Sequence, residues 1–72
     1  MAELKKVENN IFKEYYEGRN DGRRVICILD PNCVRYMVFA PGKWGERQIS
    51  RREFANGKES LCFKNATKAL NK

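Results

Sequence analysis

The sequence contains no histidine, and its three cysteines, Cys27, Cys33 and Cys62, form no Cys-x-x-Cys pair. Histidine is the commonest general base and a frequent zinc ligand, so its absence argues against most acid–base enzymes and most zinc sites. An odd number of cysteines is also atypical of a small secreted disulfide scaffold. We therefore expect three reduced, mostly buried thiols, no metal site and no cofactor.

Long apolar stretches are also absent. The longest unbroken ones span residues 25–29 and 36–40, whereas a membrane-crossing helix needs about 20 apolar residues. Residues 1–6 lack the apolar region of a secretory signal. These features predict a cytoplasmic protein without a membrane partner.

Groups for catalysis are few. The segment from Gly42 to Gly45 lacks the spacing of a glycine-rich phosphate loop, and Cys33 is the only candidate nucleophile, without a histidine to activate it. Glu46 and Glu53 have basic neighbours, which is typical of surface ion pairs. We predict that the protein is not an enzyme.

Charge is unevenly distributed along the 72 residues, which are enough for one domain covering residues 1–72. The net charge is +6, of which residues 1–18 contribute −1 and residues 19–72 contribute +7. A basic field concentrated on a small domain attracts polyanions and accelerates their binding. A basic surface can also serve solubility alone.

The N-terminal region allows two interpretations. Apolar residues at Leu4, Val7, Ile11 and Tyr15 have helical spacing, which favours a helix over residues 3–17. The alternative is a strand over residues 11–17 that turns at 20–22, because an Asp-Gly step is a strong hairpin signal.

Later segments predict a small sheet. Residues 23–30 and 34–40 are apolar and β-branched, as strands are, and a tight turn at 30–32 would pair them antiparallel. A third strand is predicted near 47–49.

Two helices are predicted after the sheet. Ser50 and Glu53 have the spacing of a capping box, and Ile49 and Phe54 could form the accompanying hydrophobic staple, so a short helix should begin at Ser50 and end near Gly57. A last helix is predicted over residues 60–70. The fold class expected is α+β, with a small antiparallel sheet of two to three strands packed with N-terminal and C-terminal helices.

Arginines, lysines and the single tryptophan carry the functional prediction. Trp44 lies in a predicted loop, 41–46, where an exposed indole would stack on a base, anchor a protein interface or fold back onto the core. Arg51 and Arg52 would combine with helix amides in a phosphate clamp. The candidate binding residues are Arg23, Arg24, Lys43, Trp44, Arg47, Arg51, Arg52 and Lys58.

Two functions fit these residues. The first is a small accessory or regulatory protein that binds nucleic acid, duplex DNA more than RNA, through sequence-tolerant phosphate contacts. The second is an inhibitor or adaptor module, of the kind found in viruses and mobile elements, that binds an acidic protein through Trp44 and nearby arginines. Either would be a monomer or a homodimer. The first requires the cations to share one side of the fold.

Overall fold

The computed structural model describes residues 2–7, 14–30 and 32–72. Within them the chain forms one antiparallel sheet, whose five strands lie side by side in sequence order, and a single helix after the last strand. This corrects the expectation of two to three strands between N-terminal and C-terminal helices. The elements are β1 (Lys5–Lys6), β2 (Glu14–Asn20), β3 (Arg23–Asp30), β4 (Cys33–Gly42), β5 (Gly45–Phe54) and α1 (Glu59–Leu70).

The turn between β2 and β3 explains why the N-terminal helix is wrong. Asn20 pairs with Arg23, and the two residues between them, Asp21 and Gly22, both have positive φ, 52° and 80°. Such a turn matches the twist of two antiparallel strands, and Asp-Gly is among its preferred sequences. Pairing with β3 therefore holds 14–20 as a strand, which overlaps the alternative strand of 11–17 at residues 14–17, and Lys5–Lys6 form β1. Residues 8–13 of the predicted helix lie outside the described residues.

The strands predicted at 23–30 and 34–40 are confirmed as β3 and as the centre of β4. The backbone N–H of Asn32 donates to Asp30 Oδ1 at 2.9 Å, which stabilises the turn between them. Successive side chains of each strand point to opposite faces of the sheet. The helix α1 packs against one face and not against the other. We call these the helix face and the open face.

The core lies between the helix face and α1. The predicted C-terminal helix at 60–70 is confirmed as α1, which buries one stripe of residues at helical spacing. Strands β3 and β4 supply most of the core residues on the sheet side. The buried cluster contains Leu4, Val25, Cys27, Val34, Tyr36, Val38, Cys62, Ala66 and Leu70.

The C-terminal end of α1 is hydrogen-bonded to β2 and to Ala2, near the edge of the sheet that lies away from β5. A Cβ on Gly18 would lie 2.6 Å from Leu70 Cδ2, so only glycine leaves room for Leu70 at this point of β2. The Asn20 side chain donates to the Leu70 carbonyl at 3.0 Å, and Asn71 exchanges two hydrogen bonds of 2.8 Å with the backbone of Ala2. These contacts fix the direction in which α1 crosses the sheet.

The short helix predicted at Ser50 is also wrong, because residues 45–54 form β5 along the whole of β4. The capping-box residue Glu53 instead pairs with its strand neighbour Arg51 on the open face. The staple residue Phe54 lies 6.1 Å from the Tyr36 ring on the helix face. Backbone pairing with β4 outweighs a local signal worth about 1 kcal/mol.

A bulge interrupts the β4–β5 pairing. Val38 pairs with Ser50 but Phe39 pairs with Gln48, which leaves Ile49 as the extra residue. Ile49 consequently lies on the helix face beside Ser50 instead of alternating with it. Bulges and edge charges also discourage pairing of an exposed edge strand with another chain, and β5 has both.

The cysteines provide a test of this packing. Cys27 and Cys62 are fully buried with their sulfurs 3.8 Å apart, and burial raises the pKa of both thiols. Cys33 is only half-buried. We expect a chromogenic disulfide reagent to label Cys33 alone in the native protein and all three thiols in denaturant, because the thiolate is the reacting form. Prompt labelling of Cys62 in native Cys33→Ser protein would contradict the placement of α1.

Candidate functional site

A groove runs along the helix face between α1 and β5. Its volume is about 450 Å³, and its floor is formed by the core residues Tyr36 and Val38. One wall is β5 with its bulge, and the other is the last two turns of α1. The helix-side groove, as we call it, is lined by Arg23, Tyr36, Val38, Ile49, Ser50, Arg52, Asn65, Lys68, Ala69 and Lys72.

The lining of the helix-side groove is cationic. It contains four basic side chains, and within the part of the chain that the structure describes no aspartate or glutamate lines it. Arg23 is partly neutralised, because its Nη1 donates to the carbonyls of Ala69 (2.9 Å) and Lys72 (3.1 Å) at the negative end of α1. Arg52, Lys68 and Lys72 have no ion-pair partner among the described residues, so their charge is available to a ligand.

Strand alternation decides which arginines of β5 reach the groove. Arg52 pairs with Tyr36 and lies on the helix face, where its guanidinium stacks 5.1 Å from the Phe54 ring centroid. Its neighbour Arg51 pairs with Met37 and lies on the open face. Arg47 pairs with Ala40, and the bulge returns it to the helix face. Arg47 therefore extends the line of positive charge from the groove toward the end of the hairpin.

The open face is nearly neutral by comparison. Its arginines lie within ion-pairing distance of carboxylates, as in the ion pairs that Arg24 makes with Glu46 at 2.7 Å and with Glu17 at 3.7 Å. The open-face cations are Lys5, Arg19, Arg24, Arg35 and Arg51, and the carboxylates are Glu17, Asp30, Glu46 and Glu53. These carboxylates neutralise most of the positive charge on the open face.

The pKa values on the open face reflect the same pairing. The hydrogen bonds from Arg24 lower the pKa of Glu46, and those with Glu46 raise the pKa of Arg24. The hydrogen bond from Arg51 lowers the pKa of Glu53. Both carboxylates thus remain ionised to lower pH than free glutamate, and they hold their arginines in place at neutral pH.

The tip of the β4–β5 hairpin presents the tryptophan. Gly42 pairs with Gly45, which leaves Lys43 and Trp44 as the two residues of the turn. The Trp44 side chain is 93% exposed, and Lys43 Nζ lies 5.8 Å from its ring centroid. Of the alternatives for this residue, packing against the core is wrong. An indole displayed beside a cation is suited to stacking on a base or to anchoring a protein partner.

The predicted binding residues are only partly brought together. Arg23 and Arg52 line the helix-side groove, and Arg47, Lys43 and Trp44 continue along β5 to the hairpin tip. The two open-face arginines, Arg24 and Arg51, lie on the other side of the sheet. Lys58 lies just before α1, about 18 Å along the helix from its far end. The phosphate clamp on helix amides is also wrong, because Arg51 and Arg52 lie in a strand.

The groove residues on the helix side were missing from the prediction. Asn65 and Lys68 project from α1 at a spacing of three, which places them on one side of the helix, and Lys72 follows the end of α1. This periodicity is visible in the sequence. The apolar stripe of the same helix predicts the helix and says nothing of its polar side.

Other kinds of site find little support in the described residues. Within 2–7, 14–30 and 32–72, no three histidine, cysteine, aspartate or glutamate side chains lie close enough together to hold a metal ion. In the same ranges, no helix has the length and apolar character needed to cross a membrane. Comparison of the chain with protein-family models, with curated proteins and with solved structures finds no match.

Proposed function

We propose that the protein binds nucleic acid, and duplex DNA in particular, through sequence-tolerant phosphate contacts from the helix-side groove and the hairpin tip. The observation that carries this proposal is the unequal distribution of ion pairs between the two faces. The four open-face arginines each have a carboxylate within ion-pairing distance, whereas Arg52, Lys68 and Lys72 in the groove have none among the described residues. Unmatched cations in a concave surface are the usual feature of a polyanion site.

The dimensions of the basic surface suit a duplex. From Arg52 to Trp44 the strand extends about 26 Å, at about 3.3 Å per residue. At about 3.4 Å per base pair, this length corresponds to roughly seven to eight base pairs of duplex. Arg47 and Arg52 present planar guanidinium groups that match phosphates or guanine edges. Because the groove offers charge and hydrogen bonds and no general base, the role that we propose is accessory or regulatory.

A salt titration tests the proposal. Fluorescence anisotropy would measure binding to a labelled duplex of about 16 base pairs between about 50 and 200 mM salt. Each phosphate contact contributes a slope of about −0.9 to log K against log salt, so three or four contacts predict about −3 to −4. Absence of binding at the lowest salt would contradict the proposal. A duplex RNA of the same length measures the preference for DNA.

The exposure of Trp44 supports a second candidate, the binding of an acidic protein. Tryptophan and arginine dominate the energetics of many protein interfaces, and Trp44 lies at a hairpin tip with Arg47 nearby. Pull-down from a lysate with and without nuclease distinguishes the two functions. Partners that are lost after nuclease treatment favour nucleic acid, and partners that persist favour a protein target.

A further inference from the structure

A regular duplex would contact the cationic rim of the helix-side groove and leave its apolar floor, which we call the recess, uncovered. The groove volume of about 450 Å³ falls within the range of about 300 to 1,000 Å³ that holds small organic ligands. Apolar atoms of Tyr36, Val38 and Ile49 line it under the cationic rim. A duplex presents phosphates and sugars on its outside, and these cover charge well and apolar surface poorly.

The floor of the recess is already formed by the core. Tyr36 and Val38 are 8% and 4% exposed, and the Tyr36 ring is held against Phe54. Ile49 is brought to the rim by the β5 bulge and remains 47% exposed. The apolar surface is therefore fixed in place before any ligand arrives, which reduces the entropy lost on binding.

Polar groups around the recess remain available. Among the described residues, no other side chain or backbone group pairs with the Ser50 hydroxyl or the Asn65 side-chain amide. Arg52 and Lys68 stand on opposite walls, one on β5 and the other on α1. An occupant must therefore combine a negative group near the rim with a flat, partly apolar body that carries hydrogen-bonding edges.

We infer that the recess is a subsite for one unpaired nucleotide, with the base on the apolar floor and its phosphate between Arg52 and Lys68. This inference rests on the proposed function and narrows its substrate to DNA in which a single-stranded end or an extruded base adjoins duplex. Ser50 and Asn65 donate to or accept from the edge of any base, so the subsite is sequence-tolerant. An acidic peptide satisfies the cations and leaves the apolar floor uncovered.

Four labelled probes that share one duplex test this inference. One is blunt, one has a short single-stranded overhang, one has an abasic overhang of the same length, and the last is the overhang strand alone. We expect the overhang to bind about 10-fold more tightly than the blunt duplex, because packing one base is worth about that factor. The abasic overhang, which keeps the phosphates, should lose most of this advantage.

Two protein variants localise the effect. Ile49→Ser removes apolar surface from the recess and should reduce the ratio of overhang affinity to blunt-duplex affinity, measured on the same variant, to about 2-fold. Leu61→Ser is the matched control, because Leu61 is similarly exposed, at 45%, and does not line the groove. It should retain the full advantage.

The outcomes distinguish failure of the nucleotide subsite from failure of the proposed duplex binding. Equal binding of blunt and overhang probes, or equal binding of the normal and abasic overhangs, would overturn the subsite and leave duplex binding intact. No binding of any probe would remove both. Displacement of the overhang probe by a poly-glutamate peptide at equal charge concentration would identify an acidic protein segment as the occupant and overturn the inference.

Discussion

Leu70→Ala is expected to lower the melting temperature of the protein by about 12 to 24 °C. Leu70 is 1% exposed and fills the space beside Gly18, so its truncation leaves a cavity between α1 and β2. Such cavities cost about 3 kcal/mol or more, and each kcal/mol lowers the melting temperature of a small domain by about 4 to 8 °C. The total stability of a domain this small is on the order of 4 to 10 kcal/mol.

The matched control for this variant is Leu61→Ala. Leu61 belongs to the same helix, but it is 45% exposed, and its truncation should change stability by no more than about 0.5 kcal/mol. Thermal unfolding followed by circular dichroism measures both variants. If Leu70→Ala and Leu61→Ala melted within a few degrees of each other, α1 would not pack as described. The groove would then lose one of its walls.

The central strands and the last helix are the parts of the fold that the sequence predicts well. The continuous apolar run at 25–29 and the apolar side of the last helix were recognisable because both are buried, the helix through Cys62, Ala66 and Leu70. The central strands and the last helix pack against each other, so the residues that make each local pattern are the same residues that form the tertiary contacts.

The two helices predicted in error show where local signals fail. The spacing of Leu4, Val7, Ile11 and Tyr15 is that of an amphipathic helix. The turn at Asp21-Gly22 instead pairs residues 14–20, as β2, with β3. Likewise, the capping-box pattern at Ser50 is overridden by pairing with β4. In both places the decisive interaction is backbone pairing with the neighbouring strand, which the pattern within a single segment does not contain.

The candidate site was predictable in composition and not in arrangement. Trp44 and the arginines were identified from residue type, but adjacent residues of a strand face opposite sides, so Arg51 and Arg52 could be separated only once β5 was known to be a strand. The bulge at Ile49, which returns Arg47 to the helix face, has no signature in the sequence. The basic residues therefore divide between two faces instead of sharing one.

Removing the two opposing cations of the groove should weaken binding to duplex DNA on the order of 30-fold. Arg52 and Lys68 lie on opposite walls and lack ion-pair partners among the described residues, so each is free to contact a phosphate. In Arg52→Gln/Lys68→Gln, two contacts of about 1 kcal/mol each are lost, which corresponds to about 2 kcal/mol or 30-fold. The slope of log K against log salt should also become less steep by about 1.8.

The chain supplies an equally charged control for this double variant. Arg51 is the next residue of β5 but lies on the open face beside Glu53, and Lys64 is one turn before Lys68 in α1 and does not line the groove. Arg51→Gln/Lys64→Gln therefore removes the same charge from neighbouring positions outside the groove. Circular dichroism of both proteins would show that their folds are equivalent.

Side-by-side salt titrations of these two double variants are the most direct test of where the polyanion binds. We predict that the groove variant loses about 30-fold in affinity and flattens the salt dependence, while the control changes affinity by less than about 3-fold. Equal losses in the two proteins would mean that overall charge, and not the surface between α1 and β5, determines binding.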